Sequence, residues 1–317
     1  MGGHLFVLRG DLKQLRCSAV LIPCDSRWKV VWDHWAPLLP EDRFEAPDPY
    51  GWRPLTGGGG TRRFTDVAPV GGKWVRLVVT ADDDRHDTPD KRAQWVAEGV
   101  ADAIADLSGR ELPLPAGRVK PLIGLPLVGT GAGGFETTRG VLIHALVPAM
   151  MRAARQHDVD VALVLIDDRD HAAVQAVRSD YWDEFEREQP LLAQHLAVAD
   201  NLGSRAARSE LSLFLGSGVS VPLGVPDWRT LLSDVSPRAL DFRTGTPQQI
   251  AQEIQEELGR EELEDRIVAK VAVDGVAPTH LLLAALSVVQ NVTTNYDIAY
   301  ELFGGIPVEQ HGVAVRR

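Results

Sequence analysis

Cysteine is scarce: 317 residues hold two, Cys17 and Cys24. That excludes a disulfide framework, and it excludes a four-cysteine zinc site built from this chain alone. A reducing cytoplasm suits such usage, and two unpaired thiols read as small buried hydrophobes. Long apolar runs are missing as well. No stretch of about 18 apolar residues is present, the length a membrane-spanning helix needs. The opening MGGHLFVLRGDLK lacks the apolar core of a signal peptide. Nor is there an excess of basic charge. The formal net charge is −11, so the surface as a whole does not advertise nucleic-acid binding, which depends on a basic field. There is no solenoid-length repeat and no low-complexity tract.

What is present suits a globular protein with a sizeable core: 44% hydrophobic and 24% charged residues. The length favours two domains. Short apolar runs at 5–8, 19–22, 74–80, 119–128 and 159–166 predict buried strands. Three- and four-residue apolar steps predict helices over 89–107, 137–157 and 171–187, the first with Pro89 in its opening turn. Trp28, Trp32 and Trp35 follow at helical spacing and read as a core-facing stripe. Residues 40–62, rich in Pro and Gly, read as a loop. Strands alternating with helices predict an α/β sheet covered on both faces.

A polar helical stretch over 186–208 reads as a connector between domains at 1–185 and 209–317. A second α/β pattern follows: a strand at 211–215, a Gly-Ser-Gly turn and a helix at 228–235. Charged amphipathic helices cover 247–272, another helix 278–289, and strands 290–294 and 306–310. Strand, glycine turn and helix form the geometry of a dinucleotide-binding turn, where the backbone approaches a pyrophosphate closely. The same turn also occurs merely to pack strand against helix.

More residues join it. Gly216-Ser217-Gly218-Val219-Ser220 with Gly224-Val-Pro-Asp-Trp228-Arg229 resembles the sirtuin signature. Thr293-Thr294-Asn295-Tyr296-Asp297 resembles its Thr-Gln-Asn-Ile-Asp motif, most closely in the Thr-Thr-Asn-Tyr-Asp form of bacterial sirtuin-like proteins. Pro278-Thr279-His280 and Gln310-His311-Gly312 complete the order. The resemblance implies a partial Rossmann-like sirtuin fold and chemistry on NAD as substrate at the nicotinamide–ribose bond. By match, Asn295 holds the ribose or the attacking water, and His311 serves as general base. Gly216, Ser217, Gly218 and Ser220 cradle phosphates, and Thr294 lies in the motif whose Asp297 binds the nicotinamide amide. Trp228 and Arg229 belong to the loop over the nicotinamide. Read without the resemblance, Asn295 and Asp297 shape a strand-end turn, and His311 is a surface histidine near the chain end. Deacylating sirtuins carry a four-cysteine zinc module, so its absence favours NAD hydrolysis without a metal, as in bacterial antiviral defence proteins. The family's later strands have no counterpart before Arg317. The resemblance therefore implies a fragment or truncated form, weak in turnover by itself. An unpaired sheet edge would favour a homo-oligomer or a partner protein.

In the N-terminal part, Gly10-Asp11-Leu12 follows a strand, and Pro126-Leu127-Val128-Gly129-Thr130-Gly131-Ala132-Gly133-Gly134-Phe135 precedes a helix. Together they resemble the macro domain, a three-layer α/β/α fold that binds ADP-ribose. By match, Asp11 binds the adenine amino group. Gly129, Thr130, Gly131, Gly133, Gly134 and Phe135 wrap the phosphates through backbone N–H groups. The alternatives are Asp11 as the N-cap of a helical turn and the glycines as a packing turn. Pro23-Cys24-Asp25-Ser26 replaces the family's Asn-Ala-Ala-Asn, which puts ADP-ribosyl hydrolysis in doubt. Two functions follow: an NAD hydrolase with a nucleotide-sensing module, or a non-catalytic ADP-ribose or NAD-binding adaptor.

Overall fold

The structure, a computed structural model, describes residues 2–39, 63–81, 88–131, 134–181, 190–243, 245–286 and 288–300. The chain divides into two units, Met1–His195 and Leu196–Arg317.

In the first unit the apolar runs pair into one six-stranded sheet. Its order is β1 (Leu5–Arg9), β6 (Asp160–Leu165), β5 (Leu122–Pro126), β2 (Ala19–Asp25), β4 (Lys73–Ala81) and β3 (Phe64–Val70). All neighbours are parallel except β3 and β4. β6 is buried at every position, as a parallel strand covered on both faces must be. Helices α2 (Pro89–Ser108), α3 (Arg139–Gln156) and α4 (Asp168–Asp180) share one apolar cluster with Leu21, Ile123, Leu125 and Leu163. On the opposite face, a Cβ on Gly124 would stand 2.8 Å from Leu12 Cδ1 and 3.4 Å from Cys17 Sγ, so the chain after β1 seats there. The class is α/β, a central sheet flanked by helices.

Local chemistry sets the helix starts. Thr88 accepts from the Lys91 N–H and Pro89 opens α2. Asp167 accepts from the N–H groups of Arg169 and Asp170, which starts α4 three residues before the predicted 171. β3 was not anticipated. Its Asp66 and Pro69 do not read as strand, yet it pairs only with β4 and shifts register between those residues, and an edge strand tolerates proline there. The tryptophan stripe is shorter than its spacing suggests. Only Trp32–Trp35 is helical (α1). Asp25 Oδ1 accepts from the N–H groups of Arg27 and Lys29 at 2.9 and 2.7 Å. The turn so made places buried Trp28 at φ 64°, outside any helix.

Helix α5 (Pro190–Ala207) carries the chain into the second unit. There β7 (Ser212–Leu215) pairs in parallel with β8 (Gln290–Thr293). Around them stand α6 (Trp228–Val235), α7 (Pro247–Leu258), α8 (Arg260–Val271) and α9 (Pro278–Ala284). Leu231, Leu232, Ile250, Ile254 and Leu263 form the core. Gly259 at φ 83° divides the charged stretch into α7 and α8. α9 stops at Ala284, short of the predicted 289, because Val289 already donates its N–H to Leu211 O as the chain enters β8. The predicted strand at 306–310 lies outside the described residues.

Candidate functional site

Five parallel strands of the first unit end along one rim, and the loops leaving them enclose a cavity of about 560 Å³. Crevices at the carboxyl ends of parallel strands are where α/β sheets bind ligands, and the volume suits a small-molecule site. β1 supplies Gly10, Asp11 and Leu12. β6 supplies Val164 to Asp167, and β5 supplies Pro126 and Leu127, with Gly129 to Gly131 beyond. β2 contributes Pro23, Cys24 and Asp25, and β4 contributes Thr80 and Ala81. Arg139 and Asp170, from the first turns of α3 and α4, complete the wall with Lys29, Val31, His34 and Trp35.

Asp11 and the glycine turn, some 120 residues apart in sequence, meet on this cavity. Asp11 is also the N-cap of the turn Leu12–Gln14. Its Oδ1 accepts the Lys13 N–H at 2.9 Å and its Oδ2 stands 3.3 Å from Lys13 Nζ. Gly129 adopts φ 83°, and a Cβ there would approach Phe135 Cδ2 to 3.2 Å. Thr130 Oγ1 donates to Leu127 O at 2.9 Å, tying the turn back on its strand. Gly134 takes φ 79° where a Cβ would meet Arg92 Nη1 at 2.8 Å. Phe135 is fully buried in the core, beneath Arg92, and does not line the cavity. Gly133 lies outside the described residues.

Charge in the cavity is mixed. Asp11, Asp25, Asp167 and Asp170 face Lys29 and Arg139. Two backbone N–H groups at the start of α4 hold the Asp167 carboxyl below its usual range. Burial drives the Cys24 thiol well above its ordinary value, with the Asp25 charge adding to this, and the residue forms part of the wall.

In the second unit the ends of β7 and β8 lie side by side, which brings the two predicted motifs together. Thr294 donates its N–H to Leu215 O at 3.1 Å. Asn295 Nδ2 donates to Ser220 Oγ at 3.0 Å, across 75 positions of sequence. Asn295 Oδ1 is buried and has no hydrogen-bond partner among the described residues. Gly216, Ser217 and Gly218 lead into a 3-10 turn at the same strand ends. Asp297 is buried and accepts the Ala299 N–H at 3.1 Å. Trp228 and Tyr296 meet edge to face at 5.4 Å. Arg229 instead lies over Phe242, 5.5 Å from the ring centroid. His280 is buried with neither ring nitrogen bonded among the described residues. Burial holds it below the usual histidine range, and the Asp297 charge opposes that. His311 lies outside the described residues.

Known proteins show partial likeness to the chain. The chain is 30% identical over 120 residues to the NAD(+) hydrolase ThsA of Acinetobacter baumannii (strain 532279). That match covers 36% of this chain and 23% of ThsA, so the chain spans less than a quarter of that protein's length. No protein-family model matches. Among solved structures, an Oceanobacillus iheyensis macrodomain with MES bound aligns over 56% of this chain and 92% of its own, at 12% identity and TM-score 0.37. The same macrodomain with ADP aligns over 56% and 90%, at 13% identity and TM-score 0.36. An Alphavirus P23pro-zbd aligns over 56% and 24%, at 16% identity and TM-score 0.38.

Sequence reasoning did not single out Lys29, His34, Arg139, Asp167 or Asp170 as site residues, yet all five line the cavity. For Asp167 and Asp170 a signal existed. They follow a buried strand and open a helix, at the strand end where ligands bind. For Lys29 and His34 there was none: Lys29 lies in the turn that Asp25 makes after β2, and His34 sits among the tryptophans of α1, whose spacing read as core.

Proposed function

We propose that the chain handles NAD in two parts: a macro-like unit that binds an ADP-ribose-type nucleotide, and a zinc-free sirtuin-like unit built to cleave NAD to nicotinamide and ADP-ribose. The observation that carries the first part is the cavity, where Asp11 and the Gly129–Gly131 turn converge on the carboxyl ends of five parallel strands. Partial identity to an NAD(+) hydrolase supports the second part. The proposed boundaries are 1–185 and 209–317, joined by 186–208.

In the cavity, Asp11 would accept a hydrogen bond from the adenine amino group while keeping its cap on the turn. Gly129 to Gly131 would let backbone approach a pyrophosphate, which a Cβ would obstruct. In the second unit, breaking the nicotinamide–ribose bond sends its electron pair to nicotinamide and leaves positive charge on the ribose carbon. A positioned oxygen acceptor is what that transition state needs. Asn295 Oδ1 is such an atom: buried, unpaired among the described residues, and held by its amide nitrogen on Ser220. Asp297 would take the nicotinamide amide and Gly216, Ser217, Gly218 and Ser220 the phosphates. Thr294, Trp228 and Arg229 would frame the nicotinamide end. His311 would accept the proton of the attacking water, leaving ADP-ribose and one proton.

Incubation of the protein with NAD, following nicotinamide release, tests this part. Slow release is expected of this chain, and Asn295→Ala should lower it by about a hundredfold, the scale of losing one transition-state contact, with an unchanged melting temperature. Equal release by that variant would remove Asn295 from the chemistry.

A further inference from the structure

We propose that Arg139 is the phosphate-reading side chain of the first unit's cavity and that Asp170 is its internal competitor, so that a diphosphate nucleotide displaces one anion from the guanidinium and takes its place. The inference rests on the nucleotide reading of the cavity and names a contact that reading does not contain. Arg139 is the first residue of α3, where the helix presents partial positive charge and a cation is disfavoured. Nothing local offsets it. α3 has no acidic residue in its first turn, and Thr138 makes no side-chain cap.

Asp170 supplies the compensation, incompletely. Arg139 Nη1 donates to Asp170 Oδ1 and Oδ2 at 3.0 and 2.9 Å. One nitrogen straddles both oxygens, in contrast to the forked pairing of two nitrogens with two oxygens that makes Arg–carboxylate contacts strong. The Nε and Nη2 donors make no hydrogen bond among the described residues. Arg76 in the same unit shows the contrast. Fully buried, it uses Nε, Nη1 and Nη2 on Asp66, Ala103 O and Asp106, as a structural arginine does. The Arg139 side chain is 42% exposed and the Asp170 side chain 16%, so the cation reaches the cavity while its partner stays in the wall.

Asp170 can release the arginine without being stranded. It sits in the first turn of α4, whose amino end stabilises a carboxylate by itself. A diphosphate offers paired oxygens to the two idle donors, next to the Gly129–Gly131 turn that lines the same cavity. Four carboxylates and two cations line the cavity, so a bound anion needs a cation with open donors, and Arg139 has two.

Calorimetry on the full chain with ADP-ribose, adenosine and inorganic pyrophosphate, at low and high salt, tests the inference. Arg139→Gln should weaken ADP-ribose binding by about 10- to 100-fold, the scale of a charged hydrogen bond, and flatten its salt dependence. Arg139→Lys should keep the salt dependence but recover only part of the affinity. Asp170→Asn should tighten ADP-ribose several-fold, and adenosine should bind all variants alike. Equal ADP-ribose binding by wild type and Arg139→Gln, or weaker binding by Asp170→Asn, overturns the inference and leaves the nucleotide reading standing. Pyrophosphate binding that depends on Arg139, without ADP-ribose binding, overturns the inference for a nucleotide together with the nucleotide reading, and leaves Arg139 an inorganic-anion contact. No binding of either anion sinks both.

Discussion

Asp11 Oδ1 holds the Lys13 N–H while the residue lines the cavity, so one carboxylate carries a cap and a proposed ligand contact at once. Two substitutions separate them. Asparagine caps as well as aspartate, whereas alanine does not. Asp11→Asn should therefore keep the melting temperature and lose ADP-ribose affinity. Asp11→Ala should lose affinity by about 1–3 kcal/mol and stability by about 1 kcal/mol. Unchanged affinity in both variants would leave Asp11 as a cap alone. Asp11 was legible because a strand, a glycine and an acid stand in a fixed order. Arg139 was not. A charged residue opening an amphipathic helix reads as solvated surface until the strand ends are assembled around it.

At the scale of elements, apolar runs and helix caps marked every described strand of the first sheet except β3. That strand was hidden because its polar residues serve neighbours. Asp66 binds buried Arg76 through both oxygens, at 2.7 and 3.1 Å, and no local pattern forecasts an arginine ten residues away. The loop after β5 was legible as a glycine turn at a strand end, and the structure shows why it needs glycine. Gly129 turns at φ 83° with the Phe135 ring 3.2 Å from where a Cβ would stand. Gly129→Ala should cost about 1–2 kcal/mol for the left-handed backbone, read by thermal unfolding, and should weaken ADP-ribose binding. Full stability in this variant would mean that the loop can take another course. Phe135 was placed with the phosphate contacts by its motif, through its backbone; its side chain belongs to the core and anchors the loop.

At the scale of the whole molecule, the sequence marks two α/β patterns and the structure divides into two units, though the division falls at His195, inside α5. Periodicity could not locate it more closely, since α5 runs unbroken from Pro190 to Ala207. The second unit's motifs were legible as ordered fragments, and β7 pairing with β8 brings together the two that follow those strands. The function proposed for both units is handling of one ligand chemistry, the adenine–diphosphate–ribose framework. Calorimetric titration of the full chain with ADP-ribose addresses that claim most directly. The account expects saturable binding with one site in the first unit, weakened in Asp11→Asn. No heat and no thermal shift at millimolar ADP-ribose would contradict it and leave the cavity a structural feature of the fold.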